Sequence, residues 1–189
     1  MRVLGIDPGS RFLGYGLVEL RAKEPVYVGH GIVRTDGSDP LAMRLHVIFE
    51  ELNHVINVFK PDVVAVEGVF THKNARSALI LGHARGVALL MAARAGLQVF
   101  EYAPARVKRS VGAGGNDSKD SVARMVTVLL KLKTTLERSD AYDALAVALC
   151  HAHSMRSPVA TGRAGGKRSA TDFASRLSPS FVPARQVAP

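Results

Sequence analysis

Near its start the chain carries the run VLGIDPGSRFLGYGLVEL (residues 3–20), which reads as two strands joined by a turn, with one misfit. Asp7 ends the apolar run 3–6, and Pro8-Gly9-Ser10 then interrupts strand pairing. A strand that continued through Asp7 would bury an unpaired carboxylate at a cost of several kcal/mol. Asp7 is therefore predicted at the end of the strand, where it either starts a tight turn or points into a site on the rim of a sheet.

The segments after this run predict a meander followed by a helix. Strands are predicted at YGLVEL (15–20) and VYVGHGIVRT (26–35), whose short connections favour antiparallel pairing. A helix is predicted next and should end before Pro61. Its apolar residues recur at steps of 3 and 4 and form one stripe, made of Ala42, Leu45, Phe49, Leu52, Ile56 and Phe59.

Beyond Pro61, strands and helices alternate. Strands are predicted at DVVAVEGVF (62–70) and QVFEY (98–102), with a helix from about 75 to 95 between them and a further helix starting near Asp140. This order predicts an α/β fold with a mixed five-stranded sheet flanked by helices. The ribonuclease H-like fold requires such an order, although the pattern alone leaves it one candidate among several α/β arrangements.

Three further acids share the odd placement of Asp7. Glu67 closes the apolar run 63–66, while Asp140 and Asp143 lie on one face of a predicted helix. A capping box with Asp140 as N-cap also explains that pair, but it does not explain acids at two strand ends. If the fold gathers these acids, unit charges 4 Å apart repel by roughly 4 kcal/mol at an effective dielectric of 20, so a cation is needed. Oxygen ligands favour Mg²⁺ or Mn²⁺ over zinc.

The charge of the chain points to an anionic partner. There are 25 Lys and Arg residues against 16 Asp and Glu, a net charge of +9. Such a chain attracts nucleic acid or anionic lipid. Because the sequence shows no amphipathic basic helix or lipidation motif, nucleic acid is favoured, and a basic protein without such a partner is the alternative.

Composition divides the chain into one domain (residues 1–155) and a basic tail (residues 156–189). The tail is rich in Ser, Pro, Gly, Ala and Arg without an apolar period, so we expect it to be disordered. No apolar run approaches the roughly 18 to 20 residues of a membrane span, and we expect no signal peptide. The single cysteine, Cys150, is interpreted as a core residue. These features predict a cytoplasmic protein without membrane association.

Five segments together resemble the RuvC family of bacterial crossover junction endodeoxyribonucleases, which resolve Holliday junctions. They are GIDPGSRFLGYG, VAVEGVF, NARSALILGHARG, EYAPARVK and DAYDALAVALCHA, and the likeness spans roughly residues 1–153. The resemblance implies a ribonuclease H-like homodimer that makes paired symmetric nicks in four-way junction DNA during recombination and repair. It implies two Mg²⁺ or Mn²⁺ ions per active site, products with 5′-phosphate and 3′-hydroxyl ends, and the branch-migration proteins RuvA and RuvB as partners.

The resemblance also assigns roles to residues at matching positions. The metal ligands would be Asp7, Glu67, Asp140 and Asp143, and the basic helpers near the scissile phosphate Lys108 and Lys119. Phe70 matches the aromatic residue that stacks on an unpaired base. We further expect DNA contacts from four residues after it, His72, Lys73, Asn74 and Arg76. Taken alone, Lys108 and Lys119 would be read as surface lysines and Phe70 as a core residue.

Small residues on the second predicted helix offer a dimer hypothesis. Ala78, Gly82 and Gly86 recur at intervals of four and form a smooth face. A second copy of the chain or the protein's own sheet explains that spacing equally well.

Three other functions compete with junction resolution. A GIDxG start also occurs in the actin and hexokinase superfamily, which needs two lobes and an adenosine site. A ribonuclease H-like nuclease acting on RNA is closer. A catalytically inactive junction-binding module is the third, but four retained acids argue against it, since phosphate binding favours their loss.

Overall fold

The computed structural model describes residues 1–68, 75–113 and 119–155. Strands and helices alternate there in the predicted order. The elements are β1 (Arg2–Asp7), β2 (Phe12–Arg21), β3 (Glu24–Arg34), α1 (Leu41–Phe59), β4 (Val63–Glu67), α2 (Ala75–Arg94), β5 (Gln98–Tyr102), α3 (Pro104–Ser110), α4 (Lys119–Leu129) and α5 (Ser139–Ser154).

The strands form one sheet in the order β3-β2-β1-β4-β5. The pairs β1–β2 and β2–β3 are antiparallel, whereas β4 runs parallel to β1 and β5 parallel to β4. This mixed sheet with helices packed on it is the predicted ribonuclease H-like arrangement. Because β1 and β4 are adjacent and parallel, their carboxyl ends, Asp7 and Glu67, meet at one edge of the sheet.

Two hydrophobic cores lie on opposite faces of the sheet. Val3 and Ala65 belong to the core formed with α5, whereas Leu4 and Val64 belong to the core formed with α1 and α2. Successive side chains of a strand point to opposite faces. Asp7 and Glu67 therefore point to the α5 face, because each is an even number of residues from Val3 or Ala65.

The buried face of α1 follows the predicted stripe except at Ala42, which is exposed. Leu52 and Ile56 belong to the core, and Leu45, Phe49 and Phe59 pack against it. The helix also buries Arg44, whose guanidinium finds hydrogen-bond partners in the interior. Its buried residues are Arg44, Ile48, Leu52, Val55 and Ile56. As predicted, α1 ends before Pro61, with Lys60 in the left-handed conformation (φ 47°).

Buried side chains of α5 include Cys150, as predicted, and one histidine. His151 is 1% exposed, and its Nδ1 lies 2.8 Å from the hydroxyl of Tyr102. Its ring centroid lies 4.3 Å from that of Phe100. Its Nε2 has no hydrogen-bond partner within the described ranges. Burial lowers the pKa of His151 to about 4, because this apolar surrounding disfavours the charged imidazolium.

We expect His151 to make the fold less stable as the pH falls from about 6.5 to about 4. In the unfolded chain the imidazole takes up a proton near its ordinary pKa of 6.5, whereas the folded protein resists protonation until about pH 4. The free energy of unfolding therefore has its full value above pH 6.5 and falls as the pH drops toward 4. The total loss is roughly 3 kcal/mol, because each pKa unit corresponds to 1.36 kcal/mol. Melting curves across this range should show a shallower pH dependence for His151→Gln than for wild type. The half-buried His153, changed to Gln, is the control; equal pH dependence in wild type and His151→Gln would contradict the assignment.

No helix in the part of the chain that the structure describes is long and apolar enough to cross a bilayer.

Candidate active site

The acids at the strand ends are neighbours in the sheet. Ile6 pairs with Val66 across β1 and β4, so Asp7 and Glu67 follow side by side. Both side chains are half-buried and point to the α5 face. Asp7 is itself the last residue of β1 and pairs with Gly14 of β2, so it lies in the sheet and the turn begins after it.

Glycines in the sheet allow α5 to come close to this edge. A Cβ atom on Gly14 would lie 2.0 Å from the carbonyl oxygen of Asp140, and one on Gly5 would lie 2.1 Å from that of Ala144. Both distances are far below van der Waals contact, so only glycine fits beneath the helix. Because Gly14 lies opposite Asp7, the first turn of α5 brings Asp140 to the same corner as the strand-end acids.

The start of α5 excludes capping as the explanation for its acids. The helix begins at Ser139 with Arg138 as N-cap, and no side chain in the described residues makes the capping hydrogen bond. The alternative that made Asp140 the N-cap is therefore wrong. Asp140 lies in the first turn, where the helix dipole favours an acid, and Asp143 follows on the same face.

An arginine that the sequence analysis did not single out contacts the acid cluster. The Nε of Arg138 donates a hydrogen bond to Oδ2 of Asp140 at 3.0 Å. The Cζ of Arg138 also lies 3.6 Å from the centroid of the Phe12 ring, a cation–π contact with the first residue of β2. The sequence does show an arginine two residues before Asp140. It does not show that this arginine packs on Phe12, because that ring comes from a distant part of the chain.

Arg44, also missed, holds the turn that follows Asp7. Its Nε and Nη2 donate to the carbonyl and hydroxyl oxygens of Ser10, at 3.1 and 2.5 Å. The hydroxyl of Thr35 donates to the same carbonyl at 2.6 Å. These bonds tie the turn to α1 and to the end of β3, and so support the backbone next to Asp7.

The structure covers part of the remaining predicted site. Lys108 is half-buried on α3, which starts two residues after β5 ends beside Glu67. Lys119 is the first residue of α4, and Arg76 is the exposed second residue of α2. The other four predicted DNA contacts lie outside the described residues: Phe70, His72, Lys73 and Asn74.

The acids at this corner suit a hard divalent cation in chemistry, because carboxylate oxygens are its preferred protein ligands. The spacing of the side chains differs from that of a metal site. Within residues 1–68, 75–113 and 119–155, no three His, Cys, Asp or Glu side chains are grouped so as to hold one metal ion. Among these acids, Asp140 is hydrogen-bonded to Arg138.

Comparison with known proteins identifies the family. Residues 3–151 match the family model described as "Crossover junction endodeoxyribonuclease RuvC". The chain belongs to the RuvC family. A RuvC from Myxococcus xanthus is 56% identical over 185 residues, covering 96% of this chain and 97% of that protein. A RuvC from Geobacter sulfurreducens is 49% identical over 154 residues, covering 82% of this chain and 93% of that protein.

A solved RuvC structure has the same fold. Thermus thermophilus RuvC, in complex with a Holliday junction substrate, superimposes with a TM-score of 0.75 at 34% identity, over 82% of this chain and 96% of that chain. The predicted family and fold are thus confirmed. The matched range, residues 3–151, spans the positions of all four acids and both candidate lysines. The Myxococcus relative also matches part of residues 156–189, because its alignment covers 96% of the chain.

Proposed function

We propose that this protein is a structure-selective endodeoxyribonuclease that resolves Holliday junctions by paired symmetric nicks in recombination and repair. The observation that carries the proposal is the convergence of acids at one corner: Asp7 and Glu67 end adjacent parallel strands, and Asp140 lies above the residue opposite Asp7. Membership of the RuvC family and the junction complex of the Thermus protein support the choice of substrate.

We infer that the site is metal-dependent and uses two Mg²⁺ or Mn²⁺ ions. Such a pair, when bound, supplies an activated water and stabilises the leaving 3′-oxygen, which gives 5′-phosphate and 3′-hydroxyl ends. Asp7, Glu67, Asp140 and Asp143 would hold the ions together. Asp7 has the central place among them, because β1 lies between β4 and β2, with Glu67 on one side and Asp140 on the other.

Basic and aromatic residues complete the proposed site. Lys119, with Lys108, neutralises charge that develops on the phosphate in the transition state, as preorganised cations do. Phe70 follows Glu67 by three residues and is proposed to stack on a base unpaired at the crossover. Its neighbours His72, Lys73 and Asn74, with Arg76 at the start of α2, are proposed to contact DNA near that base. These roles are supported by the family resemblance.

The exposed face of α2 supports a homodimer. A Cβ atom on Gly82 or Gly86 would meet no atom of the described residues within 4 Å, so these glycines do not pack on their own sheet. Leu79 and Leu90, on the same helix, are 66% and 54% exposed. A second copy would cover this face. A two-fold dimer would also place two active sites on symmetry-related strands of a four-way junction.

The remaining proposals concern the setting of the reaction. We propose that the protein acts in the cytoplasm with RuvA and RuvB, as its family resemblance suggests. Residues 156–189 carry six basic residues and one acid, and we propose that they add phosphate contacts without sequence preference.

Incubation with a synthetic mobile four-way junction tests the function directly. With Mg²⁺ or Mn²⁺, each supplied separately, we expect two nicks at symmetric positions on opposing strands, with ligatable 5′-phosphate and 3′-hydroxyl ends. Linear duplex and RNA–DNA hybrid should remain largely uncut. Equal cutting of linear duplex contradicts junction selectivity, preferential cutting of the hybrid indicates a ribonuclease, and tight binding without cutting indicates an inactive binding module. Single unpaired nicks contradict a dimer with two working sites.

A further inference from the structure

Arg138 is a cation bonded to one of the four candidate acids, Asp140. We propose that Arg138 competes with the divalent cation for Asp140 and thereby lowers the metal affinity of the active site. The inference rests on the proposed function, because it takes Asp140 as a metal ligand. Arg138 acts through Asp140 and is therefore a positioning residue.

Arg138 contacts both Asp140 and the ring of Phe12. Its Nε bonds to Oδ2 of Asp140 at 3.0 Å, and its Cζ lies 3.6 Å from the ring centroid of Phe12. The acid that precedes it in the sequence, Glu137, forms an ion pair with Arg34 instead. The charge of Arg138 is thus directed at Asp140.

A guanidinium weakens a carboxylate as a metal ligand. An ionised carboxylate only accepts hydrogen bonds, so a donor such as guanidinium occupies a lone pair that a metal ion would use. Its positive charge also repels an incoming divalent ion. For one unit charge and one double charge about 6 Å apart, this repulsion corresponds to about tenfold in a binding constant even at a dielectric close to that of water.

The surroundings leave Arg138 room to move when Asp140 turns toward a metal. The side chains of Arg138 and Asp140 are 35% and 23% exposed, so neither is locked in the core. A cavity of about 370 Å³ also lies against Arg138, lined on its other sides by His30, Arg34, Glu137 and Ala141. This cavity gives the guanidinium space beside its present position.

Mn²⁺ titration of the full-length protein by isothermal calorimetry tests the competition without relying on activity. We expect Arg138→Gln to bind Mn²⁺ about tenfold more tightly than wild type. Arg138→Lys, which keeps the charge, should remain nearer to wild type. The matched control is Arg21→Gln: Arg21 also pairs with an acid two residues away, Glu19, at 2.7 Å, but lies at the other end of β2. This control should not change Mn²⁺ affinity.

Each outcome of the titration decides the matter. A gain in affinity cannot come from a damaged fold, which would weaken binding, and melting curves check this. Unchanged or weaker Mn²⁺ binding by Arg138→Gln overturns the inference. Asp140→Asn separates this failure from failure of the proposed function: if Asp140→Asn loses Mn²⁺ binding while Arg138→Gln matches wild type, only the inference on Arg138 fails. If Asp140→Asn binds like wild type, Asp140 is no ligand: the inference on Arg138 fails, and so does the assignment of Asp140 to the metal site in the proposed function, whereas junction cutting is tested separately.

Discussion

Asp7→Asn should abolish junction cutting while leaving junction binding intact. Asp7 occupies the central position of the acid corner, between Glu67 on β4 and Gly14 on β2. An amide oxygen carries no net charge, so the site loses its strongest hold on divalent cations. Metal ions supply several kcal/mol of transition-state stabilisation, so we expect the rate to fall by about a thousandfold or more. Binding should persist, because affinity for DNA comes mainly from phosphate contacts by basic groups.

Single-turnover cleavage and a gel-shift titration, both on the same mobile junction, measure the two effects. Asp39→Asn is the control, since Asp39 is an exposed acid in the connection before α1 and its loss changes net charge equally. Cutting near the wild-type rate by a clean preparation of Asp7→Asn would remove Asp7 from the active site. Loss of junction binding would instead show that the carboxylate supports the fold of the interface.

The fold could be predicted because its signals are local. Apolar runs interrupted by turn residues, such as Pro8-Gly9-Ser10, mark the strands, and steps of 3 and 4 mark the helices. The same locality explains the predicted acids: Asp7 and Glu67 stand out because each ends an apolar run. Their adjacency needed only the expectation that strands one and four meet in a mixed sheet, which the pairing of Ile6 with Val66 confirms.

What the sequence did not show depends on contacts between distant segments. The contact of Arg138 with Phe12 joins residues more than a hundred positions apart. The spacing of apolar residues along the chain does not predict such a contact. Arg44 interrupts the apolar face of α1, yet it is buried because Ser10 and Thr35 come from other elements. Asp140 looked like a helix cap because capping is judged from neighbours in sequence, whereas the actual N-cap is Arg138.

Gly14→Ala should damage both stability and cutting, although it removes no charge or hydrogen bond. Its Cβ would lie 2.0 Å from the carbonyl oxygen of Asp140 and 2.6 Å from the carbonyl carbon. Both are backbone atoms, so the clash can be relieved only by moving the start of α5 or by bending β2 beside Asp7. Overpacking of this kind typically costs about 1 to 3 kcal/mol of stability. A displacement of about 1 Å between reacting groups can cost a hundredfold in rate, so cutting should fall by about that factor.

Gly29→Ala provides the matched control for Gly14→Ala. It adds the same methyl group to the same sheet, but its Cβ would lie 3.4 Å from the Phe59 ring, which is ordinary contact. Melting curves first establish a temperature at which both variants are folded, and single-turnover rates on the junction are then compared there. We expect Gly29→Ala to cut at nearly the wild-type rate. If Gly14→Ala also cuts at nearly the wild-type rate and melts at the wild-type temperature, the first turn of α5 does not need its close approach to β2. The geometric basis for grouping Asp140 with Asp7 is then lost.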